Sequence, residues 1–328
     1  MPYKIISLFA GAGGLDLGFM QEGFEIVWAN EFDKHIWTTY EKNHHRPINK
    51  TDLRKVLDSQ IPDCDGIIGG PPCQSWSEAG ALRGIDDERG KLFFEFIRVL
   101  QAKRPRFFVA ENVSGMLAAR NTKAVATIKE MFCAAGYHLY MQLLNANDFG
   151  VAQDRKRVFY IGIRDDITQP FCFPKPQSYK PVLKDVIYDL KNNALPRVAQ
   201  SNQICKIPNH EYPIGGFSTI YMSRNRVRGW EEPSFTIQAS SRHAPIHPDA
   251  PKMVCIAPDR FVFKAGYEHL YRRLSVRECA RIQGFQDDFI FYYHNISEAY
   301  KMIGNAVPVP LSRAIAKSII ACLNPNSL

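Results

Sequence analysis

No Cys-x-x-Cys pair occurs among the eight cysteines of this 328-residue chain. Cys64, Cys73, Cys133, Cys172, Cys205, Cys255, Cys279 and Cys322 are scattered, so no zinc ribbon or disulfide framework is written into their spacing. That distribution predicts a reduced, cytoplasmic setting. His243 and His247 precede Cys255, but Pro245 and Pro248 lie among them, and no metal site is expected there. No run approaches the ~18 apolar residues of a membrane helix, and the N-terminal residues lack a signal pattern, so no membrane partner is expected. There is no internal repeat and no low-complexity tract. Acidic residues are the scarcer charge, 33 against 41 basic, leaving a formal charge of +8. The pI near 9.0 favours a polyanionic partner, although many basic housekeeping proteins share it. Hydrophobic content of 45% and charged content of 23% exclude general disorder. The length allows one large domain and a smaller one.

The first half alternates apolar runs with helical patterns. Residues 4–9, 25–29, 66–68, 107–110, 139–144 and 158–163 read as strands. Leu92, Phe93, Phe96, Ile97 and Leu100 recur at helical spacing before Pro105. Such alternation predicts an α/β fold, a mostly parallel sheet with helices on both faces and a site at the carboxyl ends of the strands. Beyond Pro170 the periodicity fades, and the chain to about residue 270 reads as a loop-rich second domain. Ser275 to Glu278 reads as a capping box opening a helix that Gly284 closes, and residues 311–322 read as a last helix packing back on the first domain. The expected boundaries are 1–172, 173–295 and a returning segment, 296–328.

Two stretches carry chemistry. Asp65-Gly66-Ile67-Ile68 leads into Gly69-Gly70-Pro71-Pro72-Cys73-Gln74, which would present Cys73 from a stiff turn at a strand end. That is a setting for a nucleophile, and equally for a small apolar cysteine after a turn. Leu8-Phe9-Ala10-Gly11-Ala12-Gly13-Gly14-Leu15-Asp16 follows the first strand. Its glycines allow close approach of a ligand, but Asp16 stands where a dinucleotide fingerprint has its third glycine, and an acid there repels a pyrophosphate. Glu31 is placed to accept from ribose hydroxyls, and Asp52, read as following a third strand, from an adenine amino group. Loop and acids together suggest S-adenosylmethionine, although each acid alone also suits a solvated residue or a helix cap.

Downstream lie Glu111-Asn112-Val113, Gln153-Asp154-Arg155-Lys156-Arg157, Arg273 to Phe285 and Gly304-Asn305. In order, and nearly end to end, these motifs resemble the DNA cytosine-5 methyltransferases, especially GGCC-specific bacterial modification methylases of the M.HaeIII type. Gln286, where the family usually has Pro, and Ser275, for a common Thr, depart from the pattern without touching the chemistry. The resemblance implies an S-adenosylmethionine-dependent methyltransferase fold with a smaller target-recognition domain. It implies Cys73 as covalent nucleophile, Glu111 as partner of the base ring nitrogen and exocyclic amine, and Arg155 and Arg157 as donors to the base, to Glu111 or to phosphate. Phe9, Gly11, Gly13, Gly14, Leu15, Glu31, Phe32, Asp52, Leu53, Pro72, Leu92 and Asn305 would surround the cofactor. Gln74 and Ser77 would meet double-stranded DNA, with residues 74–90 closing over a flipped base. A monomer with a companion restriction endonuclease is expected.

If extended, Ser223-Arg224-Asn225-Arg226-Val227-Arg228 lines Arg224, Arg226 and Arg228 along one face, suited to guanine acceptors or to phosphates. Arg242 could reach the same groove, and Ile220 could act as an apolar wedge. A transfer-RNA methyltransferase of the same family, a non-enzymatic DNA-binding regulator and a NAD-dependent oxidoreductase are the rivals. Intact Cys73, Glu111 and Arg155 argue against the second, and the glycine pattern against the third.

Overall fold

A computed structural model describes residues 2–71, 88–197 and 205–324. The chain divides into two compact units, one of residues 1–145, 156–176 and 311–328, the other of residues 146–155 and 177–310. Residues 146–155 and 296–310 thus group with the second unit rather than with the flanking sequence of the first.

The first unit is built on six strands: β1 (Lys4–Leu8), β2 (Glu25–Asn30), β3 (Gly66–Gly69), β4 (Phe107–Val113), β5 (Tyr137–Asn145) and β6 (Lys156–Arg164), in the order β2-β1-β3-β4-β6-β5. β1 pairs in parallel with β2 and β3, and β3 with β4, whereas β6 runs antiparallel to β4 and β5. The expected mostly parallel sheet is therefore present. β3 and most of β4 are buried along their length, which is why they read as unbroken apolar runs rather than alternating ones. The helix Glu88–Lys103 buries Phe93, Phe96, Ile97, Val99 and Leu100, and the helix Thr122–Ala134 buries Ala124, Val125, Ile128 and Phe132. Phe132 lies stacked on Phe108 of β4 at 4.3 Å between ring centres and edge-on to Phe93 at 5.6 Å.

β1 lies between β2 and β3; the chain leaves β1 toward β2 and leaves β3 toward β4, in opposite directions, so a crevice opens between the carboxyl ends of β1 and β3. Into that crevice run the loop after β1, Glu31 after β2 and Gly70 after β3.

The second unit has little regular structure: two-stranded sheets of β7 (Leu195–Arg197) with β8 (Glu211–Pro213) and of β9 (Val254–Ala257) with β10 (Arg260–Val262), and short helices. Tyr221, Val227, Ile246, Ala250, Met253 and Tyr271 form a small core of their own. The capping box forms as expected: Glu278 N–H donates to Ser275 Oγ at 3.1 Å and Ser275 N–H to Glu278 Oε2 at 2.7 Å, opening the helix Val276–Ile282. Gly284, at φ +86°, lies against Pro310 where a β-carbon would collide with the ring.

Residues 296–323 together are long and apolar enough, by length and composition, to cross a membrane, although no unbroken apolar run of that length occurs within them. Ala306-Val307-Pro308 breaks them into two helices, Ile296–Asn305 and Val309–Leu323, and most of the span is buried. The second helix packs within the first unit, where Ser312 Oγ donates to the Leu15 carbonyl at 2.6 Å.

Candidate active site

The loop after β1 passes through left-handed backbone at Phe9 (φ +55°), Gly11 (+57°) and Gly13 (+82°) before the helix Gly14–Gln21 begins. At Gly11 the missing side chain faces open space, so the backbone there is accessible to a ligand. Gly11 N–H donates to Glu31 Oε2 at 3.0 Å and Asp33 N–H to Glu31 Oε1 at 2.8 Å. The carboxylate is thereby fixed over the loop, and each oxygen keeps a lone pair for a further donor. Burial raises the Glu31 pKa, and the backbone donors oppose that shift. Phe32 beside it is 64% exposed, an aromatic ring with no place in the core. Leu15 is buried, and Phe9 packs partly against the main core.

Asp52 does not follow a third strand of the sheet. Its segment joins the edge of β2 through a single bridge between Asn30 and Asn49, and Asn30 Nδ2 donates to the Asn49 and Thr51 carbonyls at 3.1 and 2.7 Å. Sequence reasoning missed Asn30, which staples the chain that delivers Asp52. Asp52 caps the turn Leu53–Lys55 and receives Arg54 Nε at 3.0 Å, and that hydrogen bond holds its pKa below the ordinary carboxylate value. Leu53 is core, and Leu92 is half-buried on the helix Glu88–Lys103.

Glu111 stands near the end of β4, where Arg157 Nε meets its Oε1 at 2.9 Å. Its other oxygen faces Gly70: a β-carbon there would lie 3.4 Å from Glu111 Oε2. Asn112 Nδ2 donates to the Pro71 carbonyl at 3.2 Å, tying the end of β4 to the chain just ahead of Cys73. Pro72, Cys73, Gln74 and Ser77 lie outside the described residues, as does nearly all of the expected closing segment.

Arg155 has a different set of partners from Arg157. It is buried in the second unit, donating to the carbonyls of Ile237 at 3.1 Å, Gly304 at 2.8 Å and Ala306 at 3.0 Å. Two of those carbonyls flank Asn305, so this arginine shapes the Gly-Asn-Ala segment. Gln153 and Gln283, linked side chain to side chain at 3.1 Å, extend the arrangement: Gln283 Nε2 donates to Ile303 O at 2.8 Å, and Ile237 N–H donates to Gln153 Oε1 at 2.9 Å. Gln283 was not singled out from the sequence. Its only signal was its place between the capped helix and Gly284.

The expected face of three arginines is not formed. Tyr221–Ser223 is a tight helical turn, and Arg226 folds back onto it, donating to the Tyr221 and Ile220 carbonyls at 2.8 and 3.0 Å and covering the Tyr221 ring. Arg228 turns to Asp154 and Glu232, at 3.3 Å each, over Phe235. Free carbonyls and nearby carboxylates satisfied these guanidiniums locally, which a period-two pattern cannot foresee. Arg224 and Arg242 are exposed, and Ile220 is 71% exposed. A bridge between Val227 and Ile246 brings their two segments together. Partial burial lowers the pKa of His243, and the positive charges of Arg226, Arg224, Arg242 and Arg273 lower it further, which marks a shared positive field.

The profile of the C-5 cytosine-specific DNA methylases matches residues 3–321. The chain is 59% identical to the Type II methyltransferase M.FnuDI of Fusobacterium nucleatum, over 96% of this chain and 94% of that one. It is 55% identical to M.NgoPII of Neisseria gonorrhoeae, over 97% and 95%. Among solved structures, the Entamoeba histolytica methyltransferase EhMeth shares the fold, with a TM-score of 0.71 at 16% identity over 98% of this chain and 99% of that one.

Proposed function

The chain belongs to the C-5 cytosine-specific DNA methylases, and from that premise we propose that it methylates one cytosine within a short duplex site, GGCC at its inner cytosine, using Cys73 as covalent nucleophile. The observation that carries this reading is the Glu111–Arg157 pair beside Gly70, three residues ahead of Cys73.

Carbon 5 of cytosine is a weak nucleophile. Attack of the Cys73 thiolate forms a sulfur–carbon bond at carbon 6 and moves electron density to carbon 5 and ring nitrogen 3. Glu111 meets that nitrogen with a proton, and Arg157 holds the carboxyl in place and stabilises it once ionised. After methyl transfer a base removes the proton at carbon 5, and the sulfur–carbon bond breaks to return the thiolate. The target base must leave the helix, at a cost of a few kcal/mol.

The cradle at the end of β1 fits S-adenosylmethionine: Gly11 leaves backbone open, Glu31 offers two acceptor oxygens to a ribose, and Phe32 offers an exposed ring. When bound, that cofactor supplies an electrophilic methyl group. Phe9, Gly11, Gly13, Gly14, Leu15, Glu31, Phe32, Asp52, Leu53, Pro72, Leu92 and Asn305 would hold it. Arg224 and Arg242 would read guanines, with Ile220 as wedge. The enzyme would act as a monomer in the cytoplasm, and likeness to Type II methyltransferases supports a companion endonuclease for the same site.

Tritiated methyl transfer into duplexes of varied sequence, with mapping of the modified base, tests the reading. A duplex with 5-fluorocytosine at the target cannot complete the proton loss and should trap an adduct at Cys73. Label in transfer RNA alone, a different site, or full trapping by Cys73→Ala would overturn it.

A further inference from the structure

Under the glycine loop lies a buried polar set that the proposed reaction does not use. Asp16, fully buried in the first turn of the helix Gly14–Gln21, accepts from Ser7 Oγ at 2.7 Å and from Tyr40 Oη at 2.6 Å. Tyr40 and His44 stand one turn apart on the helix Trp37–His44, their rings stacked at 4.2 Å. His44 Nε2 lies 3.2 Å from the Ala12 carbonyl, and because a carbonyl only accepts, Nε2 must carry the proton. Burial lowers the His44 pKa, which favours a neutral ring whose single proton is committed to that bond. A β-carbon at Gly13 would fall inside the imidazole, so the glycine and the histidine fill one space between them.

These contacts form one line. Asp16 fixes Tyr40, Tyr40 stacks against His44, His44 holds Ala12, and the loop so held presents Gly11 N–H to the Glu31 carboxylate. Resting on the reading of this loop as the cofactor cradle, we propose that His44, braced by Tyr40 and Asp16, is a positioning residue for S-adenosylmethionine. It acts through the Ala12 carbonyl to set the loop and, through the loop, the ribose-facing acid. Asp16 also places a carboxylate of the protein itself at the start of this helix, where a phosphate-binding loop would leave room for an anion.

The test is calorimetric binding of S-adenosylmethionine to the full chain, with steady-state kinetics and thermal melts, for Glu31→Ala, His44→Leu, His44→Gln and Tyr40→Phe. His44→Leu fills the space without a donor and should weaken binding about tenfold, as for one lost hydrogen bond in a buried site. The KM for cofactor should rise in step, while kcat and the KM for DNA hold. His44→Gln, which can present a donor near the Nε2 position, should recover most of the loss. If His44→Leu binds like wild type, or the Leu and Gln variants are equally weak, the positioning role is wrong. If His44→Leu does not fold, Tyr40→Phe keeps the stacked ring and loses only the bond to Asp16; unchanged cofactor affinity there overturns the proposal. Glu31→Ala separates this from the underlying reading: unaltered affinity in that variant means the cradle itself is misassigned.

Discussion

Arg155 and Arg157 stand two positions apart in one motif and point to opposite consequences. Arg157 reaches a carboxylate beside the chain leading to Cys73, whereas Arg155 donates to three carbonyls of the second unit. Arg157→Ala is therefore expected to lower turnover strongly, with a smaller loss of stability from unpairing the largely buried Glu111 carboxylate. Arg155→Ala leaves buried acceptors without their donor and opens a large cavity, so a loss of ~3 kcal/mol or more of stability is expected. Urea titration and single-turnover methyl transfer, run side by side, separate the two. Comparable melting of both variants, with comparable loss of turnover per folded molecule, would refute the distinction. Motif spacing records proximity along the chain and not which acceptor each guanidinium finds.

At the scale of elements, legibility followed periodicity. The six strands of the sheet lie where apolar runs placed them, because buried strands and amphipathic helices leave strong patterns. The capping box at Ser275 was equally legible, since a short polar motif with a fixed offset has one local use. The helix Ile296–Asn305 has no counterpart in the sequence reading, which gives only a returning segment there, although Asn295 caps it through Ser297 N–H at 2.9 Å. In residues 177–271 the core is held by aromatic side chains such as Phe263 on Tyr271, at 4.1 Å, between segments with no repeat to read. Asp52 does not follow a strand as expected, because one bridge from Asn49 to Asn30 leaves no strand-like signature. Ser275→Ala tests the legible part: losing the cap should cost ~1 kcal/mol. It should lower the midpoint of urea unfolding while leaving the slope unchanged, and a stability equal to wild type would show the box to be incidental.

For the molecule as a whole, the question is what converts a basic protein into a sequence-selective one. A net charge of +8 gives general attraction to a polyanion and no discrimination among sites. Selectivity needs donors aimed at base edges, and the second unit leaves Arg224 and Arg242 exposed in a shared positive field while Arg226 and Arg228 are held by internal partners. The expected face of Arg224, Arg226 and Arg228 thus gives way to an unequal set. Arg224→Ala and Arg242→Ala should each cost ~1–3 kcal/mol on GGCC and relax discrimination at one position. Arg226→Ala should instead loosen the turn Tyr221–Ser223, lowering stability and weakening all duplexes together. An exposed arginine that bound only phosphate would also weaken every sequence alike, and would lower the salt slope by about one unit. Binding of each variant to GGCC and to singly substituted duplexes, at two salt concentrations, tells these outcomes apart. Uniform weakening with selectivity intact for both Arg224→Ala and Arg242→Ala would place base reading elsewhere in the second unit. Loss of selectivity in Arg226→Ala without loss of stability would mean that this buried guanidinium leaves its carbonyls to meet the DNA.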